Sequence, residues 1–364
     1  MRVVIDAVPL LVRSAGVKNY LYYWIRHLRD AAGPDTIRTL PALGDLRPLT
    51  HEQSVAGWWS TFSGLASLAL ANHAGITPRG RNVREADIFH TSSLRRHPSH
   101  HGRLTATVHD MTCWLMPELQ SAANRRADRN FAEVLKRADA VIAVSQSTKD
   151  DCVRVLGLPP DNITVIHSGV SGAFFDVPTD AIWQVKQKYQ LSRPYVLFTG
   201  TIEPRKNIDT LLDAYASMVE SLRDEFELVI AGPAGWAQKE TLDRLKGVRY
   251  LGYVPEADLA PLTAAAAVFA YPSLYEGFGF PVAQAMAAGV PVITSNVSSL
   301  PEVTGNAAVL IDPRSTSELR NALTRLLLSP DLRSKQGERG ACHAREFRWD
   351  VCAAKSLLFF RSVL

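Results

Sequence analysis

Three groups of residues in this chain could do chemistry. The first is Glu276, followed at once by Gly277-Phe278-Gly279 and then by Gln284. The second is the adjacent pair Arg205-Lys206, between Pro204 and Asn207. The third is His109-Asp110, closing the run LTATVHD. A carboxylate on a glycine-flexible loop can hold hydroxyl groups. A helix opening just beyond that loop turns free N–H groups and a positive dipole end toward an anion. Adjacent guanidinium and ammonium groups ahead of a helix suit a diphosphate. A histidine at the carboxyl end of a strand is well placed for a ligand crevice. Each group also has a plainer reading: a surface carboxylate on a strand–loop–helix, solvated loop cations, and a hydrogen-bonded structural histidine.

These residues need a frame. Tyr271–Ser295 reads as loop, short helix and strand, with Pro281 fit for the helix's first turn and Gly289 just past its last. Tyr195–Thr199 reads as a buried strand, and Gly200 to Asn207 as its carboxyl-end loop. Asn207 is expected to cap a helix in which Ile208, Leu211, Leu212, Tyr215, Met218, Val219 and Leu222 keep a helical period. Toward the N-terminus, Arg2–Ala7 reads as a strand and Val17–Arg29 as a helix, joined by a loop through Ala15-Gly16 that lacks a dinucleotide fingerprint. Asp87–Thr91, Leu104–Asp110, Ala140–Ser145 and Asn162–His167 are further predicted strands, and Ser121–Arg137 a basic helix. Ser147 to Asp150 resembles a capping box opening a helix to Leu156. Phe226–Gly232, Arg249–Val254 and Ala307–Asp312 are predicted strands. Ser317–Leu328 and Trp349–Phe360 are predicted helices. Two α/β alternations with a connector predict two Rossmann-like domains. The expected bounds are residues 1–170, a connector at 171–193, a second domain at 194–345, and a terminal segment 346–364 returning to the first domain.

Composition narrows the function classes. With 364 residues and 46% apolar content, the chain can build two real cores. No apolar run reaches ~18 residues, which argues against a spanning helix. Met1 leads straight into a strand, so no signal peptide is expected. Cys113, Cys152, Cys342 and Cys352 are scattered, read as reduced thiols in a cytoplasmic protein, and suggest no zinc site. The net charge is +4, with 20 Lys/Arg against 15 Asp/Glu in residues 1–170. Ser54–His73 reads as an apolar helix, most simply a core helix, with Trp58 and Trp59 unable to share one face. Beside it, Arg79–Arg103 carries six Arg, two acids and four His. Two polar loops explain that stretch, and so does a basic surface for acidic lipid headgroups or a lipid-diphosphate acceptor.

The stretch around Glu276 resembles the nucleotide-sugar signature of the family-4 retaining glycosyltransferases of GT-B fold. The likeness is strongest over residues 195–315. It implies an α/β fold of two Rossmann-like domains facing each other across a cleft, with a C-terminal helix crossing back to the first. In the family the first Glu, here Glu276, contacts donor-sugar hydroxyls. The second grips the ribose diol, and Gln284 stands in its place. Gly277, Phe278 and Gly279 match the donor-binding Gly-Phe-Gly. Arg205 and Lys206 resemble the pair that clamps the donor diphosphate, with Thr201 where many members have Arg after the Gly200 equivalent. Tyr253 and Val254 lie in the segment whose backbone reads the nucleobase. Gly16 matches the loop near the donor phosphates. His109 matches a histidine that reaches donor sugar or acceptor, and Asp110 falls on the acceptor side.

The resemblance implies transfer of a sugar from a nucleoside diphosphate sugar to the hydroxyl of a carbohydrate or lipid-linked acceptor. Configuration is retained, and no metal or other cofactor takes part. Polysaccharide or glycolipid assembly at the inner face of the membrane, mannosyl transfer included, is the family's usual business. Peripheral membrane contact would then run through the N-terminal domain, and no nucleic acid is involved. The same architecture also suits a nucleotide-sugar epimerase or hydrolase, or a non-catalytic scaffold subunit.

Overall fold

The computed structural model describes every residue except Ser14, Ala15, Asp45, His51, Ser121 and Ala237, and of Ala123 and Asn124 the backbone alone. Ala15 of the expected glycine loop and Ser121, the expected start of the basic helix, therefore lie outside the described residues. The chain divides into two compact units, Met1–Gly169 with Trp349–Leu364, and Val170–Arg348.

The first unit is built on a parallel sheet of β1 (Arg2–Asp6), β2 (Thr36–Leu40), β3 (Ile88–Thr91), β4 (Arg103–Val108), β5 (Ala140–Ala143) and β6 (Ile163–Val165), in the order β2-β1-β3-β4-β5-β6. Val3 to Asp6 are all buried, as in a parallel strand covered on both faces. The edge strand β2 alternates half-buried and buried residues, and this weak period-two signal did not stand out in the sequence. α1 (Gly16–Ala31) lies against the terminal helix Trp349–Ser362. Trp24 is wholly buried there and donates Nε1–H to Ser356 Oγ at 2.9 Å. Removing a side chain buried this way costs about 3–5 kcal/mol. A Cβ on Gly169 would come within 2.3 Å of the Trp349 ring, so only glycine admits that tryptophan.

Two local expectations change in this unit. The cap of the helix Gln146–Leu156 is Ser145, whose side chain accepts from Thr148 N–H at 3.0 Å, two residues ahead of the predicted capping box. The apolar helix α2 (Trp58–Ala74) is not a core helix, since Gly64 is its one buried residue. Gly64 sits so near Leu11 and Pro41 that a Cβ would meet them at 2.7 and 3.0 Å. The helix therefore rests on a narrow seam and leaves both Trp58 and Trp59 exposed.

The second unit carries β7 (Tyr195–Thr199), β8 (Glu227–Ala231), β9 (Arg249–Gly252), β10 (Val268–Tyr271), β11 (Val292–Ser295) and β12 (Ala308–Ile311). They form a parallel sheet in the order β12-β11-β10-β7-β8-β9. The order reverses between β7 and β10, and the carboxyl edge at such a switch point is where open α/β sheets bind ligands. At that edge the loops after β7 and β8 touch. A Cβ on Gly232 would fall 1.9 Å from the Gly200 carbonyl oxygen.

Residues 171–193, expected as a connector, are part of this unit. Their helix Thr179–Lys188 packs on the helix Glu256–Ala264, where Lys188 Nζ and the Tyr189 hydroxyl meet Asp258 at 2.5 and 2.7 Å. The predicted long helix after Asn207 is two: Ile208–Ala216 and Glu220–Glu225. Its periodic pattern spans a break at which Val219 is extended and exposed, while Met218 remains buried. Asn207 stands at the N-cap of the first helix, as expected, but its side chain accepts from the Thr210 hydroxyl at 2.8 Å and not from a backbone N–H. It sits at φ +56° and donates its amide to the carbonyls of Pro272 and Pro313 at 3.0 and 2.7 Å. It thereby ties the loop after β7 to the loop after β10.

Candidate functional site

The loops that follow β7 and β10, neighbours at the switch point, bring Arg205, Lys206 and Glu276 into one buried cluster. Leu274 N–H and Ser273 Oγ both donate to the Arg205 carbonyl, at 2.8 and 3.1 Å, which locks the two loops together. Glu276 is 6% exposed. Its Oε1 accepts from Lys206 Nζ at 2.6 Å, from Ser273 Oγ at 2.7 Å and from the Tyr271 hydroxyl at 3.0 Å. Its Oε2 lies 2.8 Å from Arg205 Nη1. Arg205 Nη1 also donates to the Tyr275 carbonyl at 2.6 Å, and Nη2 to Glu203 Oε1 at 2.6 Å. Lys206 further donates to the Tyr271 hydroxyl and lies 5.0 Å from the centre of that ring. Two cations thus face two carboxylates in a low-dielectric pocket.

The electrostatics follow from burial and pairing. Burial would raise the Glu276 pKa, but Arg205, Lys206 and the hydrogen bonds from Lys206 and Ser273 more than offset it, bringing it to about 2. Burial and the neighbouring Arg205 lower the Lys206 pKa, with Glu276 and Glu203 opposing. Burial also carries the Tyr271 hydroxyl well above its ordinary value, so it stays a donor.

Downstream of Glu276, Gly277 and Phe278 are buried, and Gly279 takes φ +94° at the N-cap of the helix Phe280–Ala287. A Cβ at Gly279 would press to 2.7 Å from Leu300 Cδ2. Glycine is needed there for both reasons. Pro281 lies in the first turn, and Gly289 follows the helix at φ +71°, as expected. Gln284 is 6% exposed, on the same helix. Gly200 opens the Arg205 loop at φ +144°. Tyr253 and Val254 follow β9, partly exposed and buried respectively, three strands along from β10.

Sequence reasoning missed Glu203, Tyr271, Ser273, Ser298 and Ser299. Glu203 is an acid two positions from Arg205. Tyr271 and Ser273 are polar residues closing an apolar strand, and that position was the available signal. Ser298, at φ +54°, accepts from Glu276 N–H at 3.0 Å, and Ser299 Oγ donates to the Glu276 carbonyl at 2.9 Å. Nothing in the local pattern marked these two serines.

In the first unit, His109 directly follows β4 and is partly buried, with the Tyr20 ring edge-on at 4.7 Å. Burial lowers its pKa to about 4, Asp110 opposing, so the imidazole is neutral near pH 7. Asp110 Oδ1 accepts from Thr112 N–H at 2.9 Å. Gly16 is exposed at the start of α1, and a Cβ there would meet nothing within 4 Å. The buried ion of that region is Lys18, whose ammonium donates to the Val12 and Gln53 carbonyls at 2.9 and 2.5 Å.

Beneath His109 the buried His90 lies 3.0 Å from both Thr105 Oγ1 and Thr107 Oγ1, with its pKa lowered to about 3 by burial and by His109. An unfolded chain takes up these two protons near pH ~6.5. It therefore binds more protons than the folded chain between about pH 6.5 and 4, and stability falls as pH drops through that window. The slope is up to about 1.4 kcal/mol per pH unit for each histidine. Thermal melts across this range should show the decline, and His90→Asn should flatten it; an unchanged slope in that variant would assign the proton uptake elsewhere.

Comparison with known proteins bears on both units. The family description Glycosyltransferase Family 4 matches residues 14–173, and Glycosyl transferases group 1 matches residues 180–342. An O-antigen chain mannosyltransferase B from Escherichia coli is 35% identical over 263 residues, which cover 70% of this chain and 69% of that protein. The serotype-specific mannosyltransferase WbdA of Escherichia coli is 29% identical over 254 residues, 65% of this chain, which spans just 31% of that longer protein. Among solved structures, Anabaena Alr3699/HepE in complex with UDP and glucose superposes with a TM-score of 0.72 at 18% identity, covering 100% of both chains. Together with the two parallel Rossmann-like sheets, these matches show that the chain belongs to the family-4 glycosyltransferases (glycosyl transferases group 1) of GT-B fold.

Proposed function

We propose that this glycosyltransferase moves a sugar, with mannose as first candidate, from a nucleoside diphosphate donor to an acceptor hydroxyl, with retention of configuration, in building a cell-surface polysaccharide. The observation that carries this reading is the Arg205–Glu276–Lys206 cluster at the carboxyl edge between β7 and β10. The names of the E. coli relatives support mannose and O-antigen, and the UDP complex of the Anabaena protein supports a nucleotide donor.

In this reading the diphosphate takes the Lys206 ammonium and the N–H groups heading the helix Phe280–Ala287. Glu276 Oε1 already accepts three hydrogen bonds. Oε2, holding Arg205 alone among the described partners, is left to accept a sugar hydroxyl. Gln284 hydrogen-bonds the ribose, and the Tyr253-Val254 backbone reads the base. As the anomeric C–O bond to phosphate breaks, the acceptor oxygen bonds the same face, and its proton passes to the departing phosphate oxygen. His109 and Asp110 are assigned to the acceptor hydroxyl.

Lys206 and backbone dipoles supply the charge stabilisation, so no divalent ion is required. Assay with GDP-mannose, UDP-glucose and dTDP-sugar donors should give acceptor-dependent transfer from one of them, undiminished by EDTA. The product linkage should keep the donor's anomeric configuration by NMR. Donor consumption at the same rate without acceptor would instead mark a hydrolase, and restoration of a lost activity by Mg²⁺ or Mn²⁺ would overturn the charge assignment.

A further inference from the structure

The helix α2 has no assigned role, and its surface is unusual. It spans 17 residues without one Asp, Glu, Lys or Arg. It nonetheless faces solvent, with Trp58 65%, Trp59 74%, Phe62 59% and Leu70 64% exposed. The rings form one cluster: Trp58 meets Trp59 edge-on at 4.3 Å and stacks on Phe62 at 5.9 Å. Ser63 turns its hydroxyl back to the Trp59 carbonyl at 2.7 Å, which satisfies it within the helix. Single exposed apolar residues are ordinary, but a contiguous patch of this kind marks a contact surface.

Arginines border the patch. Arg47 Nη2 lies 3.8 Å from the Cβ position of Gly57, the N-cap of α2. Arg96 N–H donates to Asn72 Oδ1 at 3.0 Å, which places it beside the last turns. Arg79 lines, with Leu70, Ala71 and Ile76, a groove of about 380 Å³ running along the helix. All three are exposed. Residues 47–103 hold seven arginines and three carboxylates. Each carboxylate is already paired with another arginine: Glu52 with Arg13, Glu85 with Arg81 and Asp87 with Arg2.

We propose that α2 docks the enzyme on an anionic lipid bilayer. Trp58, Trp59 and Phe62 enter the boundary between headgroups and acyl chains, while Arg47, Arg79 and Arg96 pair with lipid phosphates. A charge-free apolar helix framed by guanidinium groups that meet no carboxylate among the described residues is complementary to that surface, whose interior asks for no hydrogen bonds and whose rim is anionic. The proposal goes beyond glycosyl transfer and stands independently of it.

Vesicle co-sedimentation tests it, with phosphatidylcholine alone and with added phosphatidylglycerol. The protein should partition onto the mixed vesicles and much less onto phosphatidylcholine, with affinity falling as salt rises. The triple change Trp58→Ser, Trp59→Ser, Phe62→Ser should lower the partition coefficient by about tenfold or more. Arg47→Gln, Arg79→Gln and Arg96→Gln together should abolish the preference for phosphatidylglycerol. All six side chains are exposed, so an unchanged melting temperature certifies folding. Brominated lipids should quench emission in the native protein and not in Trp58→Phe/Trp59→Phe. Absence of binding to mixed vesicles, or binding untouched by the aromatic triple change, would overturn the proposal. So would a dimer that the triple change dissolves in a protein that ignores vesicles, which would give this face to a second copy.

Discussion

Glu276→Gln should cut kcat by about 10²-fold or more, equivalent to a loss of ~2.7 kcal/mol of transition-state stabilisation, without weakening affinity for the bare nucleoside diphosphate. The geometry makes this combination specific. In the proposed reading Glu276 offers Oε2 to a sugar hydroxyl, a contact that tightens as the ring flattens and gains positive charge, so its loss should fall on turnover. The same carboxylate neutralises Lys206 and Arg205 at 2.6 and 2.8 Å. Without its charge the cluster keeps two cations against Glu203 alone, and a diphosphate meets a more positive site. The variant should also melt lower, because breaking a buried pair by removing one partner costs about 3–5 kcal/mol. Glutamine keeps the shape and lets Tyr271 and Ser273 still donate to an amide oxygen, so it should fold where alanine risks collapse of the loop. Calorimetry with a nucleoside diphosphate, alongside steady-state kinetics, separates the two quantities. Loss of nucleotide affinity with kcat intact would place the diphosphate, not the sugar, on Glu276.

Most of this frame is legible in the sequence because parallel strands buried on both faces write themselves as apolar runs. VLFT before Gly200 and VFAY before Pro272 are such runs, and the loops after them are broken by Gly and Pro. Glu276, Arg205 and Lys206 stand out for the same reason, as charges at the ends of apolar strands. What the sequence hides is pairing across distance. That Glu203 holds Arg205, or that Ser298 and Ser299 hold the Glu276 peptide, depends on which strands become neighbours, and β7 and β10 are separated by two intervening strands in the chain. The α2 error has a different cause. Apolar composition signals burial only where something covers the helix, and here Gly64 is the one residue of the helix that is buried. The break at Val219 shows the limit of periodicity, since Met218 and Leu222 are buried on either side of it and keep the pattern alive through a turn.

Lys206 and Arg205 are adjacent in sequence, and the family resemblance treats them as one diphosphate clamp; their partners in the structure differ, and in the proposed reading their variants should separate. Arg205 spends its guanidinium on the protein: Nη2 on Glu203, Nη1 on both the Tyr275 carbonyl and Glu276. In the proposed reading it fixes the peptide that presents Glu276 and acts as a positioning residue. Lys206 holds one tetrahedral ammonium between Glu276 and the Tyr271 hydroxyl, two acceptors for three N–H groups among the described residues, and its lowered pKa reflects a cation that burial has stripped of water. A nearby diphosphate restores what burial removed. Lys206→Ala should therefore weaken nucleoside diphosphate binding by about 1.5–3 kcal/mol, roughly 10- to 100-fold. It should also lower kcat about 10²- to 10³-fold, as removal of a donor to a developing anion does. Arg205→Lys should lower kcat with little change in nucleotide affinity, because an ammonium cannot reproduce a planar fork bridging two carboxylates and a carbonyl. Its melting temperature should drop further than that of Lys206→Met, which keeps an unbranched chain along the Tyr271 ring. Equal losses of nucleotide affinity in both variants would return Arg205 to the clamp, and no loss in either would move the diphosphate away from this loop.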